Sequence, residues 1–584
     1  MKLEFLGKKY QYNVKNLIIF SLVVFFSLHT LYFVHSFAVN VPLGDEWDFV
    51  PFIESYKNGG NFWEEQHFCK QHNEHKACVP HILILISVSI ANYNIIPLLY
   101  LGWCGLVCSV VLIYFILKRF DEKLTWLIIP FSIIIFNPIH YGNLLWQLSG
   151  NGNFFTIFGY IGCVYFLQRV QKQNLSIVPA ILFAIIATFS TLPGILVWFI
   201  GILSFYNFRE NKKLIIIWLV AASVFLTLFF IDYSGYSFDT DQLNSAQQNN
   251  FLDTLFVLYS KGFINNIQSL QPLEYIIGPS VLLLTTFGLV YLKFKKISLK
   301  KLLPWIQFSF LGLLLAMAYY IGLISSAGVN SLDSSRYGIM FIIPQITALV
   351  ILIEIIRINF KPNHNNSKRL ISIILICVIF LILFLGLGVS YYVGWWHGFH
   401  MYEEHRHVLN CLLEPNSDFL CLEHLYYPHI GEGAEILREL KLGPFGNTVN
   451  YNNNSNDPIL KSIYNNVVGI PTVIDFPVDI NKKSIFEKLN VSIYYNKPLH
   501  ITFNKIIYYD NLEIQLDNND IYSISFWKNN NWVDRILINT ENSSKDEIFS
   551  SQIPFNVKQE GFDKIVIIPV KGDDVFRVEK ILLE

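Results

Sequence analysis

Apolar residues in this chain come in long unbroken blocks, not in alternation or heptads. Eleven such blocks, each about 15 to 25 residues long, occupy 17–39, 96–117, 124–138, 153–168, 176–191, 193–207, 214–231, 275–292, 302–323, 338–356 and 370–393. A block near 20 residues crosses ~30 Å of hydrocarbon as a helix. Inside lipid, a helix is the open-chain form that satisfies every backbone hydrogen bond. The pattern predicts a polytopic α-helical membrane protein with about eleven transmembrane helices. From Gly394 onward the long blocks stop. Residues 431–442 have helical spacing ended by Gly443-Pro444, and 450–457 form an asparagine-rich linker. After Val467 come short β-rich runs separated by turn residues: VSIYY, HITFNKIIYY, LEIQL, YSISFW, RILI, KIVIIPV and VEKILL. Such spacing predicts a small β-sandwich. The expected organisation is a transmembrane domain over 1–393 with a long loop at 40–95, a helical and loop connector over 394–466, and a β-sandwich-like domain over 467–584.

Composition agrees with a membrane class. Only 15% of the 584 residues are charged, and the formal net charge of −1 gives no field that favours nucleic acid or anionic partners. There is no basic tail, no P-loop glycine pattern and no dinucleotide fingerprint. The first block follows Lys2, Lys8, Lys9 and Lys15, and Ser36-Phe37-Ala38 resembles a cleavage site. The block is longer than the ~7–15 residues of a signal-peptide core, so it reads as an anchor. Alternate connections differ sharply in charge: one side carries about 21 Lys and Arg, the other only Lys57, Lys70, Lys76, Lys261 and Arg336. The positive-inside rule places the rich side, with the N-terminus, in the cytoplasm. An odd number of spans then puts the C-terminal segment outside the cell membrane. The apolar stretch 79–92 is too short for a span and reads as re-entrant or interfacial; counting it would put the basic loops outside.

Cysteines fit that topology. Cys104, Cys108, Cys163 and Cys377 lie in the blocks as small apolar residues, while Cys69/Cys78 and Cys411/Cys421 are local pairs on the outer side, open to disulfide formation. Zinc is the rival for the first pair, because Cys69, His72, His75 and Cys78 are spaced by three. On a continuous helix the outer two would lie ~13 Å apart. Both readings need the segment to bend.

The first outer loop concentrates the polar chemistry. Asp45, Glu46 and Asp48 follow the first block, then Phe49, Phe52, Ile53 and Tyr56 line one helix face up to Gly59-Gly60. Such a helix lies along a membrane surface. A second cluster runs from Gln71 through His72, Asn73 and Glu74 to His75. Carboxylates held there can serve as a general base or hold a divalent ion. The plainer reading is that they are solvated or cap helices, with Asp48 as an N-cap. Two other outer loops contribute: 143–153 with Trp146 and Gln147, and 331–338 with Arg336 and Tyr337. A guanidinium on the outer side suits a phosphate or a salt bridge to Asp333. Inside the blocks His29 is isolated, and Glu354 lies three residues before Arg357 as a local pair. So few ionisable groups at mid-membrane argue against an ion-driven carrier.

These features together resemble the GT-C glycosyltransferase superfamily, whose relatives include protein O-mannosyltransferases and the lipid A aminoarabinose transferase. They also resemble a set of uncharacterised bacterial membrane proteins with four motifs. Here those motifs stand as Gly44-Asp45-Glu46-Trp47, His72-Asn73-Glu74-His75, Leu145-Trp146-Gln147 and Ser335-Arg336-Tyr337. The third is the loosest match, and the resemblance covers about residues 1–393. It implies that Asp45 is the catalytic base or metal-contacting acid, with Glu46 second. It implies that Asp48, His72, Glu74, His75, Trp146, Gln147 and Tyr337 line the substrate site, and that Arg336 holds a lipid phosphate. The donor would be a polyprenyl-phosphate sugar and the acceptor a cell-surface glycan, lipid or protein. No motif specifies a metal ion. The competing expectation is a non-catalytic scaffold or receptor whose C-terminal domain binds glycan or protein. A lipid flippase is the third, and it requires polar residues at mid-membrane.

Overall fold

Nothing breaks the apolar run after Lys15, and in the computed structural model it forms α1 (Val14–Phe37), whose 24 residues extend about 36 Å. The chain divides into two units, Met1–Asn447 and Thr448–Glu584, so residues 394–447 belong with the helices. In the first unit the structure describes residues 2–446 apart from 6–7, 12–13, 61–68, 70, 72–74, 171–172, 206–210, 234–250, 262, 264–270, 328–334, 360–385, 403, 407, 410–411 and 413–429. In the second it describes 472–476, 484–486, 491–493, 499–516, 521–528, 531–539, 548–553, 557–558, 561–571 and 576–583.

After α1 come α2 (Val50–Lys57), α3 (Cys78–Ala91), α4 (Ile96–Phe120), α5 (Ile128–Ile135), α6 (Tyr141–Leu144), α7 (Gln147–Arg169), α8 (Ile177–Thr188) and α9 (Leu196–Ile202). Later helices include Lys212–Phe230, Phe251–Ser260, Gln271–Leu283, Leu299–Ala327, Ile342–Asn359 and Ile430–Glu439. Among the described residues six helices are long and apolar enough to cross a membrane: Val14–Phe37, Ile96–Phe120, Lys212–Phe230, Leu273–Phe294, Leu299–Ile321 and Arg336–Asn359. The bent pair Glu122–Ile135 and Pro138–Leu144 makes a seventh if it counts as one span. The remaining expected blocks have physical reasons for falling short. Residues 176–207 break at Thr191-Leu192-Pro193-Gly194 into two short helices. Helix α7 is 23 residues long, but Gln147, Ser149, Asn151 and Asn153 occupy its first two turns. Part of 370–393 lies outside the described residues.

Breaks in the helices are satisfied internally, as an apolar surrounding demands. Where α5 ends, Thr30 of α1 donates to the Phe136 carbonyl, and the Asn137 side chain accepts from the Ile139 N–H at 2.9 Å. Helix α3 is 14 residues long, about 21 Å, and ends where Asn92 and Tyr93 take positive φ. The expected Glu354–Arg357 pair is present at 2.8 Å, and Arg357 also bonds Asp121 at the end of α4.

Before α1, β1 (Lys2–Phe5) and β2 (Lys8–Gln11) pair antiparallel; the second unit contains two five-stranded sheets. One orders β3 (Thr472–Phe476), β6 (Leu499–Ile507), β11 (Phe562–Lys571), β8 (Ile521–Lys528) and β9 (Asn531–Asn539). The other orders β10 (Ile548–Gln552), β7 (Asn511–Leu516), β12 (Phe576–Leu583) and β4 (Ser484–Phe486), with β5 (Val491–Ile493) also on β12. All pairings are antiparallel except β3 with β6. Alternation supplies one shared core: Leu499, Ile501 and Phe503 from one sheet and Leu512, Ile514 and Leu516 from the other. Trp527 is buried, whereas the side chain of Trp532 lies outside the described residues.

Helices α7 and α8 meet backbone to side chain. Gly159 and Gly162 leave room for Ala187 and Phe183, and the Phe183 ring also packs 4.9 Å from Phe158 and 5.5 Å from Phe166. A Cβ at Gly162 would collide with the Phe183 ring. Gly162→Ala should therefore destabilise the unit by about 1–3 kcal/mol, read as a lower melting temperature of the detergent-purified protein. An unchanged melting temperature would argue against this packing.

Candidate functional site

The acidic motif of the first loop folds as a 3-10 turn, Gly44–Phe49, running directly into α2. Gly44 opens it with φ +50, and a Cβ there would lie 3.0 Å from Trp146 Cζ2. Both conditions call for glycine. Glu46 turns inward and is 0% exposed. Its Oε2 accepts from the Leu43 N–H at 2.9 Å and its Oε1 from the Leu148 N–H at 2.8 Å. Leu148 lies in the first turn of α7, where N–H groups have no acceptor within the helix. Glu46 thus caps a helix that begins about a hundred residues downstream, at the end of the dipole that favours negative charge. Both oxygens are taken by the fold. Among the two acids of the motif, Glu46 is the one that ties the loop to α7.

Burial pushes the Glu46 carboxyl up to about 8, against the pull of the Leu148, Leu43 and Gln147 N–H groups and with help from neighbouring Asp45. Tyr93, fully buried nearby, has its hydroxyl raised well above the ordinary value, by burial first and by Glu46 second. Asp48 is exposed and sits inside the 3-10 turn. It is not the expected N-cap, because α2 starts at Val50 and its N-cap position is Phe49, with no side-chain capping bond.

Trp146, at the N-cap of α7, is the meeting point. Gly44 lies against its indole, and the Arg336 guanidinium stands 5.2 Å from the same ring and 5.0 Å from the Tyr337 ring. Among the described residues no carboxylate pairs with Arg336; Asp333 lies outside them. Tyr337 packs in turn on Tyr319 at 5.3 Å. The half-buried Asp45 is one residue from the Gly44–Trp146 contact. Asp45, Trp146, Gln147, Arg336 and Tyr337 therefore gather at the head of α7.

Asparagines fix the arginine's backbone. Asn143 Nδ2 donates to the Arg336 carbonyl at 2.9 Å, and Asn153 Nδ2 donates to it at 3.3 Å and to Asn143 Oδ1 at 2.7 Å. Ser149 Oγ donates to the same Asn143 oxygen at 3.0 Å. Gly150 allows this closeness, since a Cβ there would collide with the Asn143 carbonyl. The stretch 143–153, expected as a loop, is instead the end of α6 and the first two turns of α7. Asn143, Asn151 and Asn153 were not singled out in the sequence. Their signal is spacing: 147 and 151, and 149 and 153, each share a helix face.

His75 goes elsewhere. Its Nδ1 accepts from the Leu192 N–H at 3.1 Å, and the adjoining Thr191 hydroxyl meets Thr156 of α7 at 2.8 Å. Thr156 lies about 14 Å further along α7 than Gln147. His72 and Glu74 lie outside the described residues, as do Cys411 and Cys421. Cys69 and Cys78 are disulfide-bonded with Cα atoms 4.5 Å apart. That bond removes both sulfurs as zinc ligands, and among the described residues no three His, Cys, Asp or Glu side chains cluster to hold a metal. The expected apolar face of α2 is present but packs inward, not along a surface: Phe49 lies 3.7 Å from the His81 ring, and Gly433 of Ile430–Glu439 sits on Trp47 and Val50.

No family model matches this chain, and no curated protein matches it either.

The Glu46 clasp has a pH signature. Its folded value lies above the unfolded one, so the fold favours the protonated form. Its contribution to stability is complete below about pH 4.5 and is lost as pH rises through about 8. Glu46→Gln removes that titration and turns an –NH2 towards one of the two N–H donors. Thermal melts should show a midpoint below wild type at about pH 5 and a flatter decline between about pH 5 and about pH 8. An undiminished slope would assign the titration to another group.

Proposed function

We propose that this chain is a polytopic glycosyltransferase of the GT-C type in the cell membrane, with its N-terminus in the cytoplasm and its site and C-terminal unit outside. It moves a sugar from a polyprenyl-phosphate donor to a surface glycan, lipid or protein. The observation that carries the reading is the sharing of one indole, Trp146, by the acidic first-loop motif and by Arg336, residues nearly three hundred positions apart. A carboxylate to take the acceptor's proton and a guanidinium to hold the leaving phosphate suit displacement of a sugar from a phosphate. The Cys69–Cys78 disulfide supports an oxidising compartment for that loop. The excess of Lys and Arg on the opposite connections supports the same orientation.

In this mechanism Asp45 accepts the proton of the acceptor hydroxyl as its oxygen bonds to the anomeric carbon. The bond from that carbon to the phosphate oxygen breaks, and its electron pair leaves with the lipid phosphate. Arg336 holds the charge that grows there, and displacement from the opposite face inverts the anomeric centre. Trp146 offers the sugar a flat apolar face. Glu46 takes no part in proton transfer; it keeps Asp45 and Trp146 in register.

The test is complementation of a deletion strain, with surface glycan measured against membrane protein level. Asp45→Asn should cut product about 10²–10⁴-fold at normal protein level, the usual worth of a general base. Arg336→Lys keeps the charge but loses the planar two-point grip, and should fall between wild type and Arg336→Ala. Full product from Asp45→Asn would remove Asp45 from the reaction.

A further inference from the structure

The head of α7 buries more polar atoms than the fold uses. Gln147 and Asn151 are each 1% exposed, and neither the amide oxygen nor the amide nitrogen of either residue has a hydrogen-bond partner. The two residues are one helical turn apart on one face of α7. Beside them Trp146 Nε1 and Arg336 Nε are also buried without a partner. Asn143 and Asn153, on the same stretch, show the contrast: both spend their amides on Arg336 and on each other. Buried amides left unpaired are costly and uncommon, so this set marks a place built to receive something polar.

The chemistry of the four amide atoms narrows what that is. Each amide presents a donor and an acceptor side by side. An anion would engage the two nitrogens and be repelled by the two oxygens; a cation would do the reverse. A hydroxyl donates and accepts at once, so neighbouring hydroxyls on one ring satisfy an amide in full. Gly102 of α4 keeps space beside the pair, since a Cβ there would lie 2.9 Å from Asn151 Oδ1. We propose that Gln147 and Asn151 form a subsite that reads the hydroxyls of the donor sugar, between the Trp146 face and the phosphate grip of Arg336. This inference rests on the transferase reading and adds to it the residues that choose the sugar.

Near-isosteric variants of the full-length protein, Gln147→Met and Asn151→Leu, test it with two readouts: melting in lipid nanodiscs and surface glycan in the complemented deletion strain. The variants should melt at or above the wild-type temperature, because polar atoms idle in the resting fold have been removed. Their glycan should fall about tenfold or more for each lost amide. Undiminished glycan would overturn the subsite. So would a melting temperature lowered by more than a few degrees, since the amides would then be bonded inside the resting fold through structural water. If wild-type protein itself fails to restore any glycan, the transferase reading falls and takes this inference with it.

Discussion

Two backbone N–H groups that no helix or sheet can satisfy, Leu43 before the 3-10 turn and Leu148 at the start of α7, both end on the Glu46 carboxyl group. In an apolar surrounding an unmet N–H costs about 1–3 kcal/mol, so this one side chain fastens the first loop to a helix far along the chain. Everything else at the site follows from that fastening. It sets Gly44 against Trp146, with Asp45 next along the chain, and fixes the N-terminal turn of α7 that carries Gln147 and Asn151. Arg336 reaches the other part of the ring by a separate route, through the Asn143 and Asn153 bonds to its carbonyl.

The surrounding solvent explains why polarity is gathered so tightly. Elsewhere in the helical unit, buried serines and threonines bond back to carbonyls four residues earlier, as Ser109, Ser132, Thr188 and Thr347 do. Those groups are self-contained. The first two turns of α7 are different, for they carry side chains whose partners lie on other elements or, for Gln147 and Asn151, on none. Helix α7 is long enough to span yet is not among the six helices both long and apolar enough to cross a membrane, being polar at its head.

Much of the fold was legible from hydropathy alone, because lipid leaves a chain few ways to satisfy its backbone. Each apolar block with described residues lies on helix, and the alternating runs after Val491 became β5 to β9, β11 and β12. Strands β3, β4 and β10 escaped notice because TVIDF, SIF and IFSSQ are short and lack clean alternation. For the site, composition and charge pointed to Asp45, Trp146 and Arg336 but could not tell which of the adjacent acids the backbone engages. Glu46 and Asp45 are adjacent and alike in sequence; only the path of the backbone turns one inward and leaves the other at the edge. The stretch 143–153 looked like a loop because Asn and Gly are poor helix formers, a preference that packing against α4 and the Arg336 carbonyl overrides.

A density map of the full-length protein in nanodiscs containing undecaprenyl phosphate addresses the central claim most directly. The account predicts Gly44 and the Arg336 guanidinium on one Trp146 ring, Glu46 bridging Leu43 and Leu148, and lipid phosphate against Arg336. A map in which the first loop and Arg336 lie far apart, or in which the phosphate binds away from both, would contradict it.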